Sequence, residues 1–490
     1  MLPRGKTMTQ YDYDLGVIGG GSAGLTVAAG GAQLGARIVL IEEEPRLGGD
    51  CLHYGCVPSK TLIKTAKIYH KLQHLESFGL PGVERKPIIF SDVARRIKSV
   101  IDTIQVHDSV ERFCRLGVRV EFGRAVFTDE HTVQIEGKKI DAAKWVIATG
   151  SSPAIPPLEG LGETGFLTNK DIFYLDELPA SLIVIGGGPI AIEMAQAFAR
   201  LGSKVQVVQR SNQILSREDR DMADSVMENL VQEGIGFHLG TKLLRAHRQN
   251  GARCIDFKDS NDKVVTLQAE HLLVALGRST NVAHMGLDDI GVDFSGKGIT
   301  VDNRLRTSHK HIFAAGDVTG RYQFTHTAGY EGGVVITNAI FHLPRKTDYT
   351  WLPWCTYTDP ELASIGMNEK RAREAGIEYS VWTEEFRDND RALAEGEATG
   401  RIKLLLDQKE HPIGVQILGM HAGDLLGEWV GVLNGKVKLA TLAAAIHPYP
   451  TLGEINKRVA GTFLSTKIFS KKVRRALAFF FNLKGRACEP

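Results

Sequence analysis

Cys51 and Cys56 lie within GGDCLHYGCVPSK, residues 48–60, separated by four residues. Such a pair can ligate a metal, staple a loop or cycle between dithiol and disulfide. Structural zinc asks for four ligands, and no Cys-x-x-Cys or Cys/His partner pair accompanies these two. A glycine-flanked helix start lets the two sulfurs close within about one helical turn, and a helix N-terminus favours a thiolate. The pair therefore reads as redox-active, with no structural metal. Lys60 follows Cys56 by four residues on the same helical face, where Glu193 can pair with it. Cys114, Cys254 and Cys355 read as buried or partly buried small side chains, and six cysteines in 490 residues are too few for a disulfide scaffold.

A redox pair needs an electron source, and two glycine turns supply candidates. In DLGVIGGGSAGLTVAAGGAQLGARIVLIEE, a strand at 15–18 leads into Gly19, Gly21 and Gly24, then a helix over 25–34 and a strand over 37–41 ending at Glu42. This spacing puts a pyrophosphate at a helix N-terminus and a carboxylate on the adenosine ribose hydroxyls. The pattern recurs at SLIVIGGGPIAIEMAQAFARLGSKVQVVQR, with Gly186, Gly188 and Ala191 in place of the third glycine. Its second strand ends at Gln209–Arg210 without an acid. An arginine there suits the 2′-phosphate of NADPH, with Arg217 as a candidate assistant and NADH as the alternative donor.

Two dinucleotide folds imply a relay, and the first suits FAD. HIFAAGDV ends a buried strand at Gly316–Asp317, an acid placed to hold the ribityl chain. The helix after QFTHTAGYEGG directs its N-terminus at the flavin ring. Gly49, Thr149 and Gly150 complete the candidate FAD contacts, and Gly277 those of the nicotinamide cofactor. VIATGSSP and LLVALGRSTN read as crossings between two domains. The expected class is α/β. An FAD domain at 10–152 and 278–345 is interrupted by an NAD(P)H domain at 153–277. An α+β interface domain follows at 346–465, and a basic tail at 466–490. A formal charge of +2, with 24% charged residues, argues against global attraction to nucleic acid. The N-terminal MLPRGKTMTQYDYD has no apolar core of a secretory signal, so the expected compartment is the cytoplasm.

Together, GGDCLHYGCVPSK, the paired glycine turns, AAGDV and the late PTLGE resemble the flavin disulfide reductases that include dihydrolipoamide dehydrogenase, glutathione reductase and mercuric reductase. The resemblance spans nearly all of residues 12–465. It implies that Cys56 faces the flavin as a charge-transfer thiolate and that Cys51 meets the substrate. It also implies a Lys60–Glu193 pair beside flavin and nicotinamide, and a homodimer whose interface domains complete each other's active sites.

The chain departs from these relatives at AAIHPYPTLGE. Disulfide reductases generally carry His-Pro-Thr there, with a closing glutamate, to shuttle a proton. Here Tyr449 fills the histidine position, Glu454 is retained, and His447 lies two residues earlier. A phenol with a pKa of ~10 is a poor base at neutral pH. Mercuric reductases resemble this chain in the Pro–Tyr pair and in the arginine after the second strand. The expected acceptor is therefore a soft electrophile such as Hg(II), held transiently at Cys51 and Cys56. A low-molecular-weight disulfide served by His447 is the alternative, and flavin-borne reduction of quinone or oxygen a third reading. Against mercury stand the missing N-terminal metal-binding module and a C-terminus with Cys488 alone.

From Lys467 to Arg486 there are seven Lys or Arg and no acid, with Phe469, Val473, Leu477 and Phe480 at helical spacing. This segment reads as a helix packed on the dimer or as a peripheral contact with anionic lipid over 467–486.

Overall fold

The computed structural model describes residues 11–84, 86–485 and 487–488. Short apolar runs with no polar alternation need cover on both faces, which parallel sheets provide. Leu15–Ile18 and Trp145–Ile147 are such runs, and every residue in both is buried. They form the centre of a five-stranded parallel sheet with Ile312–Ala314, Ile38–Glu42 and Val118–Phe122. The helix Ser22–Gln33 links the first two strands in sequence and begins three residues before the expected start. A second parallel set joins Ser181–Ile185 to Lys204–Val208 and His271–Val274, with the helix Pro189–Leu201 between the first two. Both expected dinucleotide folds are present.

The two crossing segments pair with each other. Ser151–Pro153 runs antiparallel to Arg278–Thr280, with Ser152 opposite Ser279. Entry to and exit from the second dinucleotide fold thus share one two-stranded ribbon, and Gly150 and Gly277 immediately precede its strands.

Over the described residues the chain divides into two compact units. One comprises Met1–Ala66, Lys86–Arg210 and Thr241–Asp348, and holds both cofactor folds. The other comprises Lys67–Arg85, Ser211–Gly240 and Tyr349–Pro490. Its centre is a five-stranded antiparallel sheet in the order Pro353–Thr356, Glu361–Gly366, Pro412–Gly419, Arg401–Asp407, Tyr379–Glu385. The helices Ala422–Asn434 and Glu454–Ile468 meet beside it, where buried Trp429 donates from Nε1 to Asn456 Oδ1 at 2.8 Å.

One strand carries a buried charge, and one cysteine departs from expectation. In the strand Arg401–Asp407, Ile402–Leu406 is buried without interruption. Lys403 is accommodated because Asp219, Asp221 and Glu369 surround its ammonium at 2.9, 3.0 and 2.5 Å. Cys114 is exposed rather than buried, because Phe113 takes the inward position of the short helix Val110–Arg115.

The tail breaks into two helices. Glu454–Ile468 ends, Ser470 caps the next start by accepting from the Val473 N–H, and Lys471–Phe481 follows with no buried residue. Along this last helix no side chain is buried against the rest of the chain.

Candidate active site

Cys51 lies in the five-residue helix Gly49–His53, and Cys56 is the first residue of the helix Cys56–Lys71. Gly55 allows that turn, since a Cβ there would come within 3.1 Å of the Cys51 Cα. The two thiols hydrogen-bond to each other, and Thr325 Oγ1 lies 3.5 Å from Cys56 Sγ. The two cysteines titrate in opposite directions. The hydrogen bond from Cys51 lowers the Cys56 thiol to about 6 against the drag of burial, with help from Thr325 and the Lys60 charge. The same bond, with burial, pushes Cys51 far up. In the dithiol state Cys56 is thus a thiolate at neutral pH and Cys51 keeps its proton.

Lys60 Nζ reaches Glu193 Oε2 at 2.7 Å, joining the cysteine helix to the helix of the second dinucleotide fold. The Glu193 side chain is 5% exposed, so the ion pair holds a buried carboxylate.

Several residues of this site escape sequence reasoning. Arg278 binds Asp50 at 3.1 Å, next to Cys51, and also donates to the Ser151 hydroxyl and carbonyl at 2.7 and 2.6 Å. Asn169 donates to Asp50 and to the Tyr54 carbonyl at 3.2 and 2.9 Å, and Tyr174 to the His53 carbonyl at 2.6 Å. These groups pin the cysteine loop from two separate segments. The one readable signal is Arg278, directly after Gly277 at the crossing.

The first glycine turn fits a dinucleotide. Gly19 has φ +108°, and a Cβ there would strike the Ala148 carbonyl. Gly49 and Gly21 approach so closely that a Cβ on Gly49 would fall 2.7 Å from the Gly21 Cα, which keeps the helix start at Ser22 open. Gly24 faces the Gly19 carbonyl inside the turn. Glu42 is buried and accepts from the N–H groups of Gly20 at 2.5 Å and Glu44 at 2.8 Å. Burial raises its pKa and these bonds oppose the rise. A carboxylate has about four acceptor sites, so capacity remains for ribose hydroxyls. Asp317 accepts from Ser151 Oγ at 2.5 Å, and burial raises its pKa. Glu331, fully buried on the helix Thr325–Ala339, ties the Gly316 N–H at 2.6 Å. Thr149 donates to the Asn281 carbonyl at 2.7 Å and secures the crossing. Backbone approach, paired carboxylates and a helix N-terminus at Thr325 suit FAD.

The second turn repeats the geometry with other chemistry. Gly186 has φ +130°, and a Cβ there would meet the Ala275 carbonyl. Gly188 caps the helix containing buried Ala191. Arg210 and Arg217 are both exposed.

In the second unit, His447 Nε2 lies 2.8 Å from Glu428 Oε1, so its carboxylate partner is Glu428 rather than Glu454. Glu454 opens the helix Glu454–Ile468. Tyr449 is 70% exposed, donates to Asp390 Oδ2 at 2.8 Å, and has its pKa raised by that bond.

Cys–Cys redox geometry between two dinucleotide folds defines a class, and comparison with known proteins agrees. The chain belongs to the pyridine nucleotide-disulphide oxidoreductase family, whose model matches residues 13–332, with the dimerisation domain of that family matching 352–460. It is 32% identical to a mercuric reductase from Staphylococcus aureus over 454 residues, 92% of this chain and 82% of the relative. It is 33% identical to a dihydrolipoyl dehydrogenase from Bacillus subtilis (strain 168) over 447 residues, 90% of this chain and 96% of the relative. Among solved structures it is similar to the HOCl-induced flavoprotein disulfide reductase RclA from Escherichia coli in its Cu(II) complex. The TM-score is 0.82 at 26% identity, covering 92% of this chain and 100% of that one. The protein is an FAD-dependent NAD(P)H disulfide oxidoreductase with a dimerisation domain, and a homodimer. Mercuric reductase and dihydrolipoyl dehydrogenase match almost equally, so the likeness distinguishes neither.

Proposed function

We propose that the protein is a cytoplasmic NADPH-dependent reductase that delivers two electrons through Cys51 and Cys56 to a thiol-bound soft metal ion, with Hg(II) as the test case. The observation that carries this reading is Tyr449. Its hydroxyl is held by Asp390 and its pKa is raised, so it donates a hydrogen bond and does not act as a base at neutral pH. An organic disulfide needs a proton for its leaving thiolate, whereas a metal ion needs only electrons and thiolate ligands. Likeness to mercuric reductase, and to a flavoprotein reductase solved with Cu(II), supports the same direction.

FAD held by the first glycine turn, Glu42 and Asp317 would supply two-electron transfer from NADPH to the cysteine pair. Arg210 selects the 2′-phosphate, and Lys60 places positive charge near the flavin with Glu193 orienting its ammonium. Cys56 offers a ready thiolate, while Cys51 gives up its proton as the metal binds. Tyr449 of the partner subunit closes the site. Overall, NADPH gives up a hydride, the thiolate-bound metal ion gains two electrons, and its two thiolate ligands leave as thiols with the hydride's proton and one from solvent.

A second reading rests on His447 and Glu428 at 2.8 Å, a dyad able to move a proton for a small disulfide such as lipoamide. The deciding measurement is NADPH oxidation with Hg(II) plus excess thiol, lipoamide, glutathione disulfide and a quinone, in wild type, Tyr449→Phe and His447→Ala. We expect mercury turnover that survives His447→Ala and drops roughly tenfold in Tyr449→Phe, the scale of one lost hydrogen bond. Lipoamide turnover abolished by His447→Ala, without mercury turnover, overturns the metal reading. Quinone turnover that persists with both cysteines replaced would assign the chemistry to the flavin itself.

A further inference from the structure

We propose that the helix Lys471–Phe481 docks the protein on a bilayer surface carrying anionic phospholipid. The packed chain ends just before it. Lys467 pairs with Glu410 and lies over the Phe463 ring, whereas Ile468 and Phe469 are already exposed. Beyond Ser470, no residue of the helix is buried.

The helix nevertheless has an apolar arc and a cationic arc, with Phe479 lying in the second. At 100° per residue, Val473, Ala476, Leu477, Phe480 and Phe481 share one arc, and Lys471, Lys472, Arg474 and Arg475 share the other. Phe479, Phe480 and Phe481 are 83, 74 and 69% exposed. Three successive rings fan over about 200° of the helix circumference, wider than one groove on a protein surface covers. A lipid interface that takes in the helix end accommodates all three. Eleven residues extend only ~16 Å, about half a hydrocarbon core, so the helix lies in the interface plane. Among the described residues no helix is long and apolar enough to cross a membrane.

Charge selects the lipid. Seven of the 59 Lys and Arg, and one of the 57 Asp and Glu, lie from 467 onward, so the preceding chain is formally −4. The tail is a local cationic surface on an anionic body. It complements anionic headgroups while the body is repelled from them, which leaves the catalytic units facing the solvent.

The test is flotation of the FAD-loaded full chain with vesicles of equal parts phosphatidylglycerol and phosphatidylcholine, or of phosphatidylcholine alone. Wild type should float with the first and stay largely behind with the second, and salt should release it. Each cation near such a surface is worth roughly fivefold in partition, so changing Lys471, Lys472, Arg474 and Arg475 to Gln should lower it ~100-fold or more. Phe480→Ser with Phe481→Ser should also weaken it, by ~10-fold or more. An unchanged flavin-to-protein absorbance ratio reports that each variant is folded. Wild type that fails to float with phosphatidylglycerol, or a quadruple variant that floats equally well, overturns the proposal. So does loss of the dimer on sedimentation of the phenylalanine variant, which would mean that a second copy of the chain covers this face.

Discussion

The two dinucleotide turns share a backbone and differ at one side chain. In the first, Glu42 closes on Gly20, whose N–H it accepts at 2.5 Å. In the second, the matching contact is between Gly187 and Gln209, where a Cβ on the glycine would lie 2.8 Å from the Gln209 amide carbon. A buried anion therefore stands at one strand end and a neutral amide at the other, followed by exposed Arg210. The first arrangement commits a desolvated carboxylate to the ribose of a resident cofactor. The second has no carboxylate at the strand end, and the proposed preference for a 2′-phosphate rests on that difference and on Arg210. Two turns of the same backbone pattern thus present different chemistry at their strand ends.

The largest expected effect comes from breaking one turn at a time. Gly19→Val combines a left-handed backbone with a clash against a carbonyl, a cost of several kcal/mol. It should lower flavin content more than ~10-fold, read from the absorbance ratio. Gly186→Val should leave flavin in place and cut NADPH-driven flavin reduction ~100-fold. Loss of flavin in both variants would mean that the turns are not independent.

Next comes the strand-end side chain. A hydrogen bond to a charged group is worth about 1.5–3 kcal/mol, so Arg210→Ala should reduce kcat/KM for NADPH roughly 10- to 100-fold while leaving NADH within ~3-fold. Gln209→Glu makes the second turn resemble the first and should shift preference further toward NADH. Comparable losses with both nucleotides would remove Arg210 from phosphate recognition.

The smallest effect concerns the redox pair, which only the first site carries. The hydrogen bond from Cys51 depresses the Cys56 pKa to about 6, so the thiolate persists at neutral pH and is lost as pH falls through that value. In the two-electron-reduced protein, the long-wavelength thiolate–flavin absorption should fade with a midpoint of about 6. It should vanish in Cys56→Ser and persist in Cys51→Ser with its midpoint moved upward. Thr325→Val should move the midpoint up by less than ~1 unit. A band that survives Cys56→Ser would reverse the two roles.

Both glycine turns, the cysteine helix and the partnership of Lys60 with Glu193 were legible because each depends on short-range spacing or on a resemblance carried by several motifs. Asn169, Tyr174 and Glu331 were not, and Arg278 only by its place directly after Gly277. Arg278, Asn169 and Tyr174 hold groups more than 100 residues away, and Glu331 holds Gly316 from the following helix, so no local pattern fixes these contacts. Nor does a local pattern mark Lys403 as buried, because the acids around its ammonium come from other segments of the chain.

By itself the sequence determined the chemistry on offer: two dinucleotide turns, a cysteine pair at a helix start, a phenol where a base is usual, and a cationic amphipathic tail. Local sterics and side-chain type are enough for that, since a glycine's freedom or a thiol's reactivity belongs to the residue and its neighbours. Tertiary structure decided which proton sits where and what each charge faces. Cys56 becomes the thiolate because Cys51 and Thr325 converge on it, His447 is tied to Glu428, and Tyr449 is tied to Asp390. The tail helix shows both faces to solvent because the packed chain stops at its cap. Hydrogen bonds and desolvation depend on distances of a few ångströms, and only the folded chain sets those distances.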